Sequence, residues 1–186
     1  MGERIQEIGR EFVYEIKEYL EKTFNFGSLT TTYNKNDATV RENLNGDTIR
    51  FDLVGLYYHS NEPIEIYIEA KKYTTSSGLI SNFKKFLKDS FSIWVKKRQI
   101  SNYWKAKFLF IATHPFACQD FSNLKSYNFL EQLLEKELEL IKFLIKKKEE
   151  VISDFLNFFD ILIITDSKDL ISPNISKIAE LSKIFS

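Results

Sequence analysis

The chain has 186 residues but only one cysteine, three prolines and six glycines. A lone Cys118 cannot close an internal disulfide, so a packed core must hold the fold. So little Gly and Pro excludes collagen-like and low-complexity disordered states. No uninterrupted apolar run approaches the ~20 residues that a bilayer span requires, so no membrane partner is expected. There is no glycine-rich phosphate loop, which argues against an ATPase or a dinucleotide enzyme. The opening stretch MGERIQEIGREF is charged where a secretory leader would be apolar, and a cytoplasmic location is therefore expected. Net charge is absent too, with 26 basic against 26 acidic residues. What is present is 44% apolar residues, enough to build the core of one domain spanning residues 1–186.

The neutral total hides an uneven distribution. Between Lys71 and Lys107 lie ten basic residues and one acid, Asp89, so this segment carries +9 and the remainder −9. A cationic block of that density can attract a polyanion even on a neutral molecule, although a solvated helix face has the same composition.

Periodicity orders the chain. Ile5, Ile8, Phe12, Ile16, Tyr19 and Leu20 predict an amphipathic helix over 4–22, with Glu7, Glu11, Glu15 and Glu18 on or beside its other face. Residues 24–45 are rich in Thr and Asn and predict one strand near Ser28 to Tyr33, then a polar connection. From Thr48 the pattern alternates through Phe51, Leu53 and on to Tyr58, which predicts a single strand. Ser60 to Pro63 supply a turn, and Ile64, Ile66, Ile68 and Ala70 alternate with Glu65, Tyr67, Glu69 and Lys71 in a second strand, hairpin-paired to the first. The isoleucine face suits a core, and the Glu/Tyr/Glu/Lys face is expected to be solvated or functional.

Thr74 to Gly78 can start the next helix, which places Ile80, Phe83, Leu87, Phe91 and Trp94 on one face and most of the lysines on the other. Phe108 to Ala112 predicts a buried strand, Asn128 to Asn157 one long charged helix, Phe159 to Ile164 another buried strand, and Pro173 precedes a short closing helix. Helices and strands in this order predict an α/β fold, a mixed sheet of about five strands flanked by helices.

Chemistry concentrates at the hairpin. Side chains alternate across a strand, so Glu69 and Lys71 share a face, and the neighbouring strand can bring Asp52 within a few ångströms of Glu69. Two converging carboxylates suit a hard divalent cation such as Mg²⁺ or Mn²⁺, which binds through one or two carboxylates plus water and substrate phosphate. An ammonium two residues along can stabilise charge that develops on a phosphorane. The alternative is a solvent-facing cross-strand ion pair with no further role, contributing under ~1 kcal/mol when exposed.

Phe51-Asp52-Leu53-Val54-Gly55 and Ile66-Tyr67-Ile68-Glu69-Ala70-Lys71-Lys72 together resemble the PD-(D/E)XK nucleases, the restriction-endonuclease-like fold. The resemblance spans roughly residues 4–115 and implies a Mg²⁺-dependent phosphodiester hydrolase. It implies Asp52, Glu69 and the Ala70 carbonyl as metal ligands and Lys71 as the catalytic cation. It also implies a glutamate entering the site from the first helix, a role for which Glu11 and Glu15 compete and Glu11 is favoured. One departure is visible, since Phe51 stands where the family often has proline.

The basic helix suggests phosphate contacts from Lys72, Lys84, Lys85, Lys88, Lys96 and Lys97, with Gln99 and Asn102 within possible reach. DNA is favoured over RNA as substrate. Control is expected from a homo-oligomer or a recognition partner protein, and a compact nuclease of this kind fits a restriction or antiviral defence system. The rivals are a non-catalytic binding module of the same fold and an RNA nuclease. His114 and Cys118 lie four residues apart, but two ligands do not make a zinc site. Tyr67, Tyr73, Tyr103 and Trp104 could stack on bases, with packing the plainer role.

Overall fold

In the computed structural model, residues 2–23, 26–59, 62–73, 78–100, 104–114, 121–135, 148–164 and 170–171 are described. Helix α1 (Gly2–Thr23) is followed by strand β1 (Thr30–Thr31), a 3₁₀ turn (Asn36–Thr39), β2 (Val40–Glu42) and β3 (Thr48–Arg50). Strands β4 (Leu53–His59) and β5 (Glu62–Lys71), helix α2 (Leu79–Ile100) and strand β6 (Ala106–Ala112) come next. A second 3₁₀ turn (Phe121–Lys125), α3 (Tyr127–Leu133), α4 (Lys148–Asn157), β7 (Phe159–Ile164) and β8 (Leu170–Ile171) complete the described elements. They form a mixed sheet in the order β1-β4-β5-β6-β7-β8, flanked by helices. The inner pairs β5–β6 and β6–β7 are parallel and the others antiparallel. Two-residue strands at both edges extend an otherwise four-stranded sheet. The closing helix expected after Pro173 lies outside the described residues, as does the turn at Ser60 and Asn61.

The sheet has two unlike cores. One face is covered by α1, and there Val13, Ile16, Leu20, Leu53, Ile66, Ile68, Ile111 and Leu162 make a mostly aliphatic layer that also takes in Phe12. The other face is covered by α2, and Phe51, Tyr67, Phe83, Phe86, Phe91, Trp94, Phe108, Phe110, Phe155 and Phe159 fill it with rings. Adjacent rings lie 4.9–6.4 Å apart, mostly tilted or edge-on, the spacing that aromatic quadrupoles favour. Both faces of the inner strands are therefore buried, which is why Tyr67, expected on a solvated face, is fully covered.

Two sequence expectations change here. The strand expected from Thr48 to Tyr58 breaks at Asp52: β3 pairs with β2 in a separate two-stranded sheet, while β4 pairs with β5. The Phe51 N–H donates to Thr39 O at 3.0 Å and Asp52 O accepts from Thr32 N–H at 3.0 Å, so the backbone bends where it changes partners. As a result Phe51 enters the aromatic core and Leu53 the aliphatic one, although uninterrupted alternation would put them on one face. The long helix expected over Asn128 to Asn157 is interrupted after Leu133, and α3 packs against α4. Leu130, Leu134, Ile152 and Phe155 all enter the same core, which one straight helix about 45 Å long could not achieve.

At Gly55 the chain before β1 crosses so closely that a Cβ would lie 2.7 Å from Leu29 Cδ2 and 2.8 Å from Ser28 O. The glycine lets residues 28–31 press against β4, holding the following turn beside Asp52.

Candidate active site

The hairpin register carries β5 beyond the end of β4. The last pair is Leu53 with Ile68, so Glu69, Ala70 and Lys71 lie opposite the bend that holds Asp52. There the Asp52 Oδ2 accepts from the Ala70 N–H at 3.0 Å and from Lys71 Nζ at 3.2 Å. Lys71 Nζ also lies 2.7 Å from Glu69 Oε1. The three side chains expected to converge do so, with 18, 20 and 28% of Asp52, Glu69 and Lys71 exposed. Thr113, just past β6, anchors the end of β5: its N–H donates to Lys71 O at 3.2 Å, and its hydroxyl exchanges hydrogen bonds with the backbone of Tyr73.

Two carboxylates and one ammonium in a largely covered place leave an excess negative charge. Burial pushes the Glu69 carboxyl up to about 7, helped by Asp52 and opposed by Lys71 and then Lys85. Burial draws the Lys71 ammonium down, but Glu69 and Asp52 outweigh it and hold its pKa above the ordinary lysine value. Lys71 is thus held as a cation, and Glu69 takes up a proton more readily than an ordinary glutamate, which a further positive charge would oppose.

The donor set suits a hard dication. The hydrogen bonds and ion pairs just given fall on Oδ2 of Asp52 and Oε1 of Glu69, and each carboxylate has a second oxygen. The Ala70 carbonyl is a third candidate, because the N–H and C=O of one residue point to the same side of a strand and the Ala70 N–H points to Asp52. Among the described residues no group of three His, Cys, Asp or Glu side chains could hold a metal, so such an ion would rely on backbone, water or phosphate for the rest of its shell.

Other sequence candidates fall elsewhere. Helix α1 packs on the aliphatic face through Phe12, Val13, Ile16 and Leu20. Glu11 is exposed there, and Glu15 lies 3.8 Å from Lys72, whose ammonium also sits over the Phe12 ring. No hydrogen bond or ion pair among the described residues links either glutamate to the Asp52–Glu69–Lys71 group. The α2 lysines divide by position. Lys84, Lys85 and Lys88 occupy the first half of α2; Lys85 acts on Glu69 and pairs with Asp89 at 2.7 Å, and Lys84 lies over the Phe129 ring. Lys96 lies about 16 Å farther along the helix, bonded to Glu42 and to Asn43 O. Lys97 covers the Trp104 ring. Gln99 is near the far end of α2, and Asn102, Tyr103 and Cys118 lie outside the described residues, so the His114–Cys118 spacing has no counterpart here.

Three residues at the rim were missed. Tyr33 follows Thr32, whose N–H holds Asp52 O, and its hydroxyl is pushed up by burial and then by Asp52. Tyr14 and Arg10 on α1 adjoin it. The available signal was an aromatic set in a Thr/Asn turn, Thr31-Thr32-Tyr33-Asn34, which strand periodicity absorbed.

Among the described residues no helix is long and apolar enough to cross a membrane. No known family matches the sequence, and no curated protein does. Among solved structures, the chain is similar to the small subunit of the heterodimeric restriction endonuclease R.BspD6I, at 13% identity over 79% of each chain, with a TM-score of 0.36. It is also similar to the Acinetobacter baumannii Cap4 SAVED/CARF-domain receptor, solved with a cyclic trinucleotide, at 12% identity and a TM-score of 0.35. That match takes in 95% of this chain and 35% of the receptor. Scores this low assign neither ancestry nor activity to the chain.

Proposed function

We propose that this chain is a Mg²⁺- or Mn²⁺-dependent nuclease that hydrolyses phosphodiester bonds in DNA, a single domain of the PD-(D/E)XK kind. The observation that carries the reading is the meeting of Asp52, Glu69 and Lys71 at the end of β5, with the Ala70 N–H fixing Asp52. Asp52, Glu69 and the Ala70 carbonyl would hold the ion. A bound Mg²⁺ supplies a water of lowered pKa and neutralises charge on the phosphoryl oxygens. Lys71, kept protonated by its two carboxylates, stabilises the negative charge that builds on the phosphoryl oxygens as water adds and loses a proton to solvent and the P–O bond to the leaving sugar oxygen breaks, that oxygen taking a proton from solvent. Lys85, close enough to act on Glu69, offers a phosphate contact at the mouth. A place in a restriction or antiviral defence system, as a homo-oligomer or with a protein that selects the target, belongs to the same proposal.

One observation favours a second reading. Lys71 already bridges both carboxylates, as it would in a purely structural ion triad of a binding module. Plasmid DNA incubated with Mg²⁺ or Mn²⁺ separates the two. The nuclease reading expects cleavage by the wild type and at least a ~10²-fold loss in both Asp52→Ala and Lys71→Ala. DNA binding without cleavage supports the module, and equal cleavage by all three proteins removes the site.

A further inference from the structure

The rim of the site carries a feature that hydrolysis itself does not use. The turn after β1 is tightly fixed: the Asn34 N–H donates to Thr31 Oγ1 at 3.1 Å and to Thr31 O at 3.2 Å, and Thr32 is tied to Asp52. Tyr14 on α1 donates its hydroxyl to Asn34 Oδ1 at 2.6 Å. The tip of this turn is Tyr33, which stays 48% exposed while its ring stacks on Tyr14, with centroids 6.3 Å apart and planes at 30°. Arg10 is exposed one helical turn before Tyr14, on the same side of α1.

Among the described residues the other stacking candidates are buried or otherwise engaged. Tyr67 is fully buried, Trp104 donates to Glu65 and lies under Lys97, and the Tyr73 hydroxyl is bonded to Asn82. Tyr33 instead is backed by a second ring, anchored through its turn to the backbone of Asp52, and leaves half its surface to solvent. Bases within a continuous duplex already have both faces stacked, so a displayed ring beside the chemistry can engage only a base that is unpaired.

Resting on the nuclease reading, we propose that Tyr33, supported by Tyr14, is a stacking platform for an unpaired base next to the scissile phosphate, and that Arg10 neutralises the adjoining phosphate. The preferred substrate is DNA that is single-stranded at the point of cleavage, with continuous duplex cut at a higher KM.

Steady-state cleavage by the whole chain, on a single-stranded oligonucleotide and on the same strand in a continuous duplex, tests this. Wild type is expected to show the lower KM on the single strand. Tyr33→Ala and Tyr33→Leu, which lack a π face, raise that KM about tenfold while kcat moves within about twofold, and Tyr33→Phe restores most of the binding. Arg10→Ala lowers the slope of log affinity against log salt by about 0.7 on the single strand. A 2-aminopurine in the oligonucleotide is quenched on binding to wild type and not to Tyr33→Leu. Cleavage with equal KM on both substrates, or an unchanged KM in Tyr33→Leu, overturns the platform and leaves the nuclease reading standing. Cleavage of neither substrate by wild type in Mg²⁺ or Mn²⁺ overturns both.

Discussion

Glu65 and Glu69 lie on the same face of the same strand, four residues apart, yet they have different surroundings. Glu65 accepts from the Tyr67 hydroxyl and from Trp104 Nε1 at 3.2 Å. Arg41 completes that cluster by donating to the Tyr67 hydroxyl at 2.9 Å while its guanidinium lies 5.0 Å from the Tyr67 ring centre. The same arginine binds the carbonyls of Ala38 and Val40, pinning the small β2–β3 sheet to the large one. Among the described residues Glu69 is ion-paired with Lys71, which it shares with a second carboxylate, and its carboxyl rises to about 7. The first cluster is matched donor to acceptor and serves the fold. The second retains an imbalance that stability alone would not select, and such imbalance is characteristic of sites that recruit a charge from outside.

The widest separation between the two glutamates is in activity. Glu69→Gln should reduce cleavage at least ~10²-fold, whereas Glu65→Ala, read in the same assay, should change it by less than about tenfold. Stability should separate them in the opposite direction. In urea unfolding, Glu65→Ala should cost ~1–3 kcal/mol, because it leaves the Trp104 N–H without an acceptor and Tyr67 without its carboxylate. Glu69→Gln should match or exceed wild type above pH 7, because it removes a buried charge set against Asp52.

The pH dependence follows from the same shift. A glutamate that titrates near 4.5 when unfolded and at about 7 when folded holds its proton longer in the native state. Its contribution to stability is therefore complete below about 4.5 and is lost as pH rises through about 7. Urea midpoints in chelator should fall for wild type between pH 5 and 8, and that fall should be shallower in Glu69→Gln. A flat wild-type profile would place Glu69 among solvated carboxylates. The smallest effect concerns the lysines. Lys85→Ala should weaken DNA binding several-fold, as loss of one phosphate contact does, and Lys96→Ala should change it less, because Lys96 is 27% exposed and bonded to Glu42 and Asn43, whereas Lys85, though paired with Asp89, keeps 73% of its side chain exposed. Salt-dependent fluorescence anisotropy measures both.

Much of this was legible in the sequence where one period held over a whole element. The amphipathic α1, the β4–β5 hairpin, α2 and the buried β6 and β7 follow from apolar spacing, and Glu69 with Lys71 follows from strand alternation. Legibility failed where long-range pairing overrode a local pattern. Phe51, Asp52 and Leu53 read as one strand because alternation cannot reveal that the backbone changes partners at Asp52. The interruption after Leu133 was hidden because residues 128–157 keep an unbroken helical apolar pattern while the core needs both ends. The charge excess of 71–107 was legible as composition, but its division along α2 depends on where Glu42 and Asp89 fall. Tyr33 was illegible as a rim residue for the same reason, since its neighbours Tyr14 and Asp52 are 19 positions away on either side.

The central claim is that Asp52 and Glu69 together hold a divalent cation, and calorimetric titration of the protein with Mg²⁺ at pH 6 and pH 8 tests it most directly. Wild type should bind more tightly at pH 8, with proton release near pH 7 as the ion displaces the Glu69 proton, and Asp52→Asn should abolish the heat. Absence of binding in wild type, or binding in Asp52→Asn or Glu69→Gln as tight as in wild type, would contradict it.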